Sequence, residues 1–366
     1  IILPVFLILP LSQCDLLFVA VIWRHGDRAP GDLPYPLDQN DVRAWPRGWN
    51  QLTNKGIKQM YDLGVFLRER YMKESEHINE VFNKDEVLVI SSDAERALSS
   101  AQSVMASLFP PKHEFKWKED FDWQPIPIHS NGVGKDDPLL KPTRIKCPAY
   151  DKLNNEQSQP LFHSINESNY QLFQQLSKYT GMKITAANAH CLYDITREID
   201  HGMKQPDWVT EELIEKIKEF KRAVRTNEFD TQPKARFRGG YLLGDWHRRI
   251  NAISNGEKKA MKTILYSSHD RTLSALLSTM GVFNNQIVPY AAAVMAELHR
   301  DDGQYFVQMW YRNETSSVHS TPYPLTLPEC PFSCPLSSFN SIIAPLTVNS
   351  TQQLEEMCNS ASPLHA

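Results

Sequence analysis

No block of lysine and arginine occurs anywhere in the 366 residues, and the formal net charge is only −4. A nucleic-acid partner needs a basic stripe or patch, so that class of function is disfavoured. Apolar runs long enough to cross a bilayer are also missing. The most apolar stretch, residues 1–11, is too short and carries Pro4 and Pro10. No stretch near residue 366 has the length of a membrane anchor. Internal repeats and long low-complexity tracts are absent, which argues against solenoids and arrays. Cysteines number six, and the close pair Cys330 and Cys334 has no further ligands nearby to complete a zinc site.

What is present is ordinary for a soluble globular chain: 41% hydrophobic and 22% charged residues. That length can bury one large core, or a main domain with a smaller one inserted. Residues 1–14, with Ser12-Gln13-Cys14 after the apolar run, read as the tail of a secretory signal peptide. Cysteine use agrees with export, since Cys330 and Cys334 lie in a proline-rich strap suited to a short-loop disulfide. Sequons beginning at Asn166, Asn313 and Asn349 are glycosylation candidates and fit a secreted surface. Secretion is the expected destination, with the lysosomal lumen as the alternative.

Three places share one local grammar: a short apolar run, a polar loop, then a helical pattern. Leu16–Trp23 leads into Arg24-His25-Gly26-Asp27-Arg28; Val87–Ile90 leads into Ser91–Arg96; Thr263–Tyr266 leads into Ser267-Ser268-His269-Asp270. Runs this apolar, without strict alternation, fit strands covered on both faces. After the first loop, Ile57, Met60, Tyr61, Gly64, Leu67 and Tyr71 recur at helical spacing, with Thr53 as N-cap. After the second, Ala97, Ala101, Val104, Met105 and Leu108 do the same. The fold class expected is α/β: a doubly wound, mainly parallel sheet with helices on both faces. Residues 131–160 are polar and turn-rich. Helical patterns without clear strands follow, the best over Thr210–Val224. Residues 131–250 are therefore expected to form a smaller, mainly helical inserted domain, with 15–130 and 251–358 making the α/β unit. Pro322, Pro324, Pro328, Pro331 and Pro335 exclude a helix and predict an extended strap.

Open α/β sheets bind ligands beyond the carboxyl ends of their strands. If the three strands are neighbours, one pocket collects Arg24, His25, Arg28, Arg96, His269 and Asp270. Three guanidinium forks converging on one point want an anion with several oxygens, and phosphate fits best. Arginines around His25 should lower its pKa and leave a neutral nitrogen able to attack. Asp270 can protonate the departing oxygen and later help deprotonate water. It must be protonated for the first step, so activity is expected on the acid side of neutrality. Each of these residues alone has a duller reading: a surface ion pair, a structural histidine, a helix cap. Their shared position after a predicted strand is what points to chemistry.

The run Arg24-His25-Gly26-Asp27-Arg28-Ala29-Pro30 resembles the signature of the histidine acid phosphatase family. That branch of the histidine phosphatase superfamily holds the prostatic and lysosomal acid phosphatases and the phytases. The resemblance extends to Ser92–Arg96, Trp123–His129, Ser268-His269-Asp270 and the Cys330–Cys334 strap. It implies a phosphohistidine on His25, Asp270 as general acid, and Arg24, Arg28, Arg96 and His269 as phosphate ligands. It also implies no metal or other cofactor, a pocket between an α/β and a helical domain, and a homodimer. Its disulfides would join Cys147 to Cys358 and Cys330 to Cys334. Cys191 matches a third disulfide position whose partner falls among Ala291-Ala292-Ala293, so it is expected to be free or joined to Cys14.

Small-molecule or phosphoprotein phosphate monoesters are the expected partners. An inositol-polyphosphate phosphatase, phytase-like, is the alternative, weakly disfavoured because the insert is not strongly basic. A mutase is disfavoured by Asp27-Arg28-Ala29-Pro30. A secreted binding or antigenic protein that has lost catalysis is disfavoured because all six residues are in place.

Overall fold

The computed structural model describes residues 14–314 and 317–360. Apart from Cys14, the expected signal segment lies outside the described residues, as does Thr315 of the Asn313 sequon.

Strand β1 (Asp15–Arg24) is followed by α1 (Asn54–Arg68), β2 (Val87–Ser91) and α2 (Glu95–Leu108). Five helices come next: α3 (Pro148–Ser168), α4 (Tyr170–Thr180), α5 (Ile195–Asp200), α6 (Glu211–Asn227) and α7 (Gln232–Ser254). Then come β3 (Thr263–Ser268), α8 (Asp270–Thr279), β4 (Ala293–Asp301), β5 (Gln304–Arg312), β6 (Tyr323–Leu325) and β7 (Cys334–Pro335). Helices α9 (Leu336–Ile343) and α10 (Thr351–Asn359) close the described chain. The sheet runs β2-β3-β1-β4-β5-β6, with β7 also on β5. β2, β3 and β1 are parallel; β4 joins β1 antiparallel, and the later pairings are antiparallel too. The fold is α/β, and the parallel arrangement covers the strands that carry the polar loops, within a sheet that is mixed as a whole.

β1 is buried from Phe18 to Arg24 because both faces of the sheet are covered. Phe18, Ala20 and Ile22 enter one apolar cluster with Leu242, Leu243 and Trp246 of α7 and Leu273, Leu276 and Leu277 of α8. Val19, Val21 and Trp23 enter the other, with Met60, Leu63 and Leu67 of α1 and Val104, Met105 and Leu108 of α2. Alternate side chains of one strand thus serve two cores, which is why the sequence shows a continuous apolar run. Burying each large side chain contributes about 1.5–3 kcal/mol. Thr53 caps α1 as expected, its hydroxyl accepting from the Gly56 N–H. Tyr61, placed on the apolar face by spacing alone, is 49% exposed.

A separate helical core gathers Tyr35, Phe173, Leu176, Ile184, Leu192, Ile195, Ile217 and Phe220 from α4 to α6 and the loop after β1. The boundary expected at residue 250 does not match the packing. α7 lies inside the expected insert, yet its Leu242, Leu243, Trp246 and Ile250 pack on the sheet. The turn-rich expectation for 131–160 also gives way in part. α3 begins at Pro148 and runs through Pro160. The Pro-rich segment strands onto the sheet edge at β6 and β7, as an extended strap should.

Disulfides join Cys147 to Cys358 and Cys330 to Cys334. Cys14 and Cys191 are both free and exposed, so the Cys14–Cys191 alternative does not hold here. Among the described residues, no helix is long and apolar enough to cross a membrane. The Cys147–Cys358 link closes a separation of 211 residues, the other only 4. In chain-entropy terms the double variant Cys147→Ala/Cys358→Ala should lose about 5 kcal/mol, against about 2 for Cys330→Ala/Cys334→Ala. Denaturant unfolding of both variants checks the order; equal losses would contradict it.

Candidate active site

Register brings the three loops together. Arg24 of β1 is level with Ser268 of β3, and Ser267 is level with Ser91 of β2. The Ser267 hydroxyl accepts from the Trp23 indole N–H at 3.0 Å and donates to the Ala97 carbonyl at 2.7 Å, tying the strand ends to α2. Arg24, His25, Arg28, Arg96, His269 and Asp270 all line one cavity of about 620 Å³. The six residues expected from sequence to attack, protonate or hold phosphate are therefore in the same place.

The His25 loop is packed backbone against backbone. A Cβ on Gly26 would stand 2.3 Å from the Gly56 carbonyl oxygen, and one on Gly56 would stand 2.0 Å from that of Asp27. Only glycine at both positions lets the loop reach the start of α1. Asp27, almost fully buried, accepts from the Thr53 hydroxyl at 2.5 Å and pairs with His201 at 2.7 Å. It is a structural brace, so the motif's one carboxylate faces away from the reaction.

His25 is 3% exposed. Its Nδ1 lies 2.8 Å from the Gly26 carbonyl oxygen, which can only accept, so Nδ1 carries the proton. Arg96 Nε donates to Nε2 at 3.1 Å, so Nε2 holds the lone pair. Burial, reinforced by Arg96 and Arg24, holds the imidazole well below its usual range. The ring is therefore neutral in mildly acid solution. His269 faces the same guanidinium through Nδ1 at 3.5 Å and reaches the Ser92 hydroxyl through Nε2 at 2.9 Å. Burial, then Arg96, keep it neutral too.

The cations are crowded. Burial and the neighbouring Arg197 lower Arg28 to about 10; burial and Arg28 do the same to Arg96. The Arg24 guanidinium lies 3.9 Å over the Tyr290 ring and donates to the Val288 carbonyl at 2.5 Å. Arg24 Nε and Arg28 Nε are buried donors with no protein acceptor. Such groups at a pocket floor call for an oxyanion. Asp270 opens α8 and accepts from Arg225 Nη2 at 3.0 Å. Burial alone would raise its carboxyl, but Arg225, Arg24, Lys221 and Arg271 outweigh it and hold Asp270 well below the ordinary carboxylate range.

Sequence reasoning missed Arg197, Lys221, Arg225 and Tyr290. The first three descend from α5 and α6 into the pocket. Lys221 and Arg225 are one helical turn apart, but in a helix as rich in charge as α6 that spacing does not single them out. Residues 131–250 as a whole are not strongly basic, yet they send Lys135, Lys141, Arg144, Arg197, Lys221 and Arg225 to the cavity, so their basic charge is concentrated there. Among those residues, no cluster of His, Cys, Asp or Glu is placed to hold a metal ion.

The chain is 36% identical over 365 residues to a Xenopus laevis protein named lysosomal acid phosphatase, covering 98% of this chain and 82% of that one. Mus musculus prostatic acid phosphatase is 33% identical over 339 residues, covering 91% and 87%. Among solved structures, the backbone is similar to the phytase from Citrobacter braakii, with a TM-score of 0.69, 16% identity, and 93% and 99% coverage. Hafnia alvei phytase gives 0.68, 17%, 92% and 97%. At such identities the likeness concerns the fold alone. Residues 15–312 match the family described as Histidine phosphatase superfamily (branch 2). With that match spanning most of the chain, and with relatives above 30% identity over nearly all of it, this protein belongs to branch 2 of the histidine phosphatase superfamily.

Proposed function

We propose that this chain, an acid phosphatase acting on phosphate monoesters, works through a phosphohistidine on His25 with Asp270 as proton donor. The observation that carries the reading is the fixed tautomer of His25. A carbonyl takes the Nδ1 proton, and the Nε2 lone pair faces a floor of arginines.

Arg24, Arg28 and Arg96 take the phosphoryl oxygens, with His269 beside Arg96 as the fourth phosphate-holding side chain. Their charge meets the negative charge that spreads over those oxygens during transfer. Nε2 attacks phosphorus, the P–O bond to the alcohol breaks, and the leaving oxygen takes the proton of Asp270. Water then attacks the phosphohistidine and gives a proton back to Asp270. Inorganic phosphate leaves and the imidazole is restored, so atoms and charge balance.

Asp270 needs a proton for the first step, although the cations around it favour its ionised form. A bound phosphate dianion offsets those cations and moves the carboxyl back up. His25 has no such conflict, since its neutrality extends well below the pH at which a free histidine charges.

Export into an oxidising compartment, extracellular or lysosomal, is supported by the two disulfides. Asn349 is exposed, whereas Asn166 is half-buried on α3 with its carbonyl oxygen held by the Ala186 N–H. A homodimer is supported by an exposed aromatic surface at Trp117, Phe121 and Trp123. The phytase-like alternative draws on a likeness of fold, and the silent-scaffold alternative has no observation in its favour.

Asp270→Asn should slow alkyl phosphate turnover by about 10²- to 10⁴-fold. With dinitrophenyl phosphate, whose phenolate departs without a proton, the burst of phenol release should be far less affected. Equal losses on both leaving groups would remove Asp270 from that step. For the native enzyme, kcat/KM on an aryl phosphate should be higher near about pH 5 than near about pH 8, because protonated Asp270 is lost as pH rises while His25 is neutral throughout. A pH–rate profile with its maximum above neutrality would contradict the assignment.

A further inference from the structure

Most cations around the cavity are committed to protein partners. Arg225 is paired with Asp270 and Glu228, Arg271 with Glu228, Arg197 with Asp194, and Lys141 with Asp93. Lys135 and Arg144 also line the cavity with no ion pair among the described residues, but both are exposed; Lys221 is the half-buried one. It lies on α6, lines the cavity, and among the described residues makes no ion pair or side-chain hydrogen bond. Its Nζ lies 5.7 Å from the centre of the Tyr193 ring.

Its surroundings also locate it. One turn along α6 stands Arg225, which lines the same cavity and donates through Nη2 to Asp270 at 3.0 Å. Lys221 therefore stands on the Asp270 side of the pocket. In the mechanism above that is the side of the departing oxygen, so this ammonium faces the alcohol part of the substrate. Burial and Arg225 lower it to about 7. At acid working pH it is thus a charged, poorly compensated cation awaiting an anion.

We propose that Lys221 is a specificity-determining residue that reads the leaving group, and that the favoured substrates are phosphate monoesters whose alcohol part bears a second anionic group, a carboxylate or another phosphate. The proposal rests on Asp270 serving the leaving oxygen. The transferred phosphoryl group stays on the arginine floor, and the second anion sits against Lys221.

The test compares phenyl phosphate, carboxyphenyl phosphate and hydroquinone bisphosphate, near about pH 5, where the lysine is protonated. The enzymes are the native protein, Lys221→Met and Lys221→Arg. The native protein should favour both charged substrates over phenyl phosphate. Lys221→Met should lower that charged-to-neutral ratio of kcat/KM by about tenfold, as expected for losing one partly buried charge pair. Lys221→Arg should restore most of the ratio, and added salt should shrink it. The two charged arms distinguish a carboxylate from a phosphate as the second group.

An unchanged ratio in Lys221→Met would overturn the proposal. So would a parallel loss on all three substrates with a displaced pH profile, which would mean that Lys221 acts only on the ionisation of Asp270. Neither outcome touches the broader reading, which is tested separately by hydrolysis of phenyl phosphate and by the Asp270→Asn comparison of leaving groups.

Discussion

Parallel registration of β2, β3 and β1 is the constraint on which the rest of the molecule depends. Because Arg24 is level with Ser268 and Ser267 with Ser91, three strands end together and release their loops into one space. The two apolar clusters on opposite faces hold that register. A one-residue slip in β1 would exchange Ile22 with Val21 between the clusters and turn His25 away from the pocket. Folding and chemistry therefore share one requirement, and the glycine contact between Gly26 and Gly56 extends it from the sheet to the first helix.

The second consequence is electrostatic. Crowding Arg24, which is buried, with the half-buried Arg28 and Arg96 is costly for the folded protein, and the same desolvation lowers Arg28 and Arg96. The same crowding keeps His25 neutral in acid and keeps the pocket preorganised for an oxyanion. Asp270 is the point of tension, being held ionised by cations that a phosphate would neutralise. Substrate charge is thus part of the acid's own ionisation equilibrium.

The site was more legible in the sequence than the domain plan. His25, Arg96 and Asp270 each follow a short apolar run, and a run buried on both faces leaves a plain signal. Thr53 was legible because a cap is a local interaction. Arg197, Lys221 and Arg225 were not, since a charged residue on an amphipathic helix looks the same whether it faces solvent or a cavity; Tyr290 was not, since it lies in a turn with no motif around it. α7 was assigned to the insert for a related reason: helical periodicity reports an apolar face but not which partner covers it. The antiparallel strands β4 and β5 escaped too, because their pairing depends on tertiary contacts and not on a motif.

The most direct measurement is rapid acid-free quenching during turnover of a phosphate-labelled ester, followed by mapping of the label. Phosphoryl transfer to the protein predicts acid-labile, base-stable phosphate on His25, and its absence in His25→Ala along with turnover. Label on another residue, or full turnover by His25→Ala, would contradict His25 as the nucleophile.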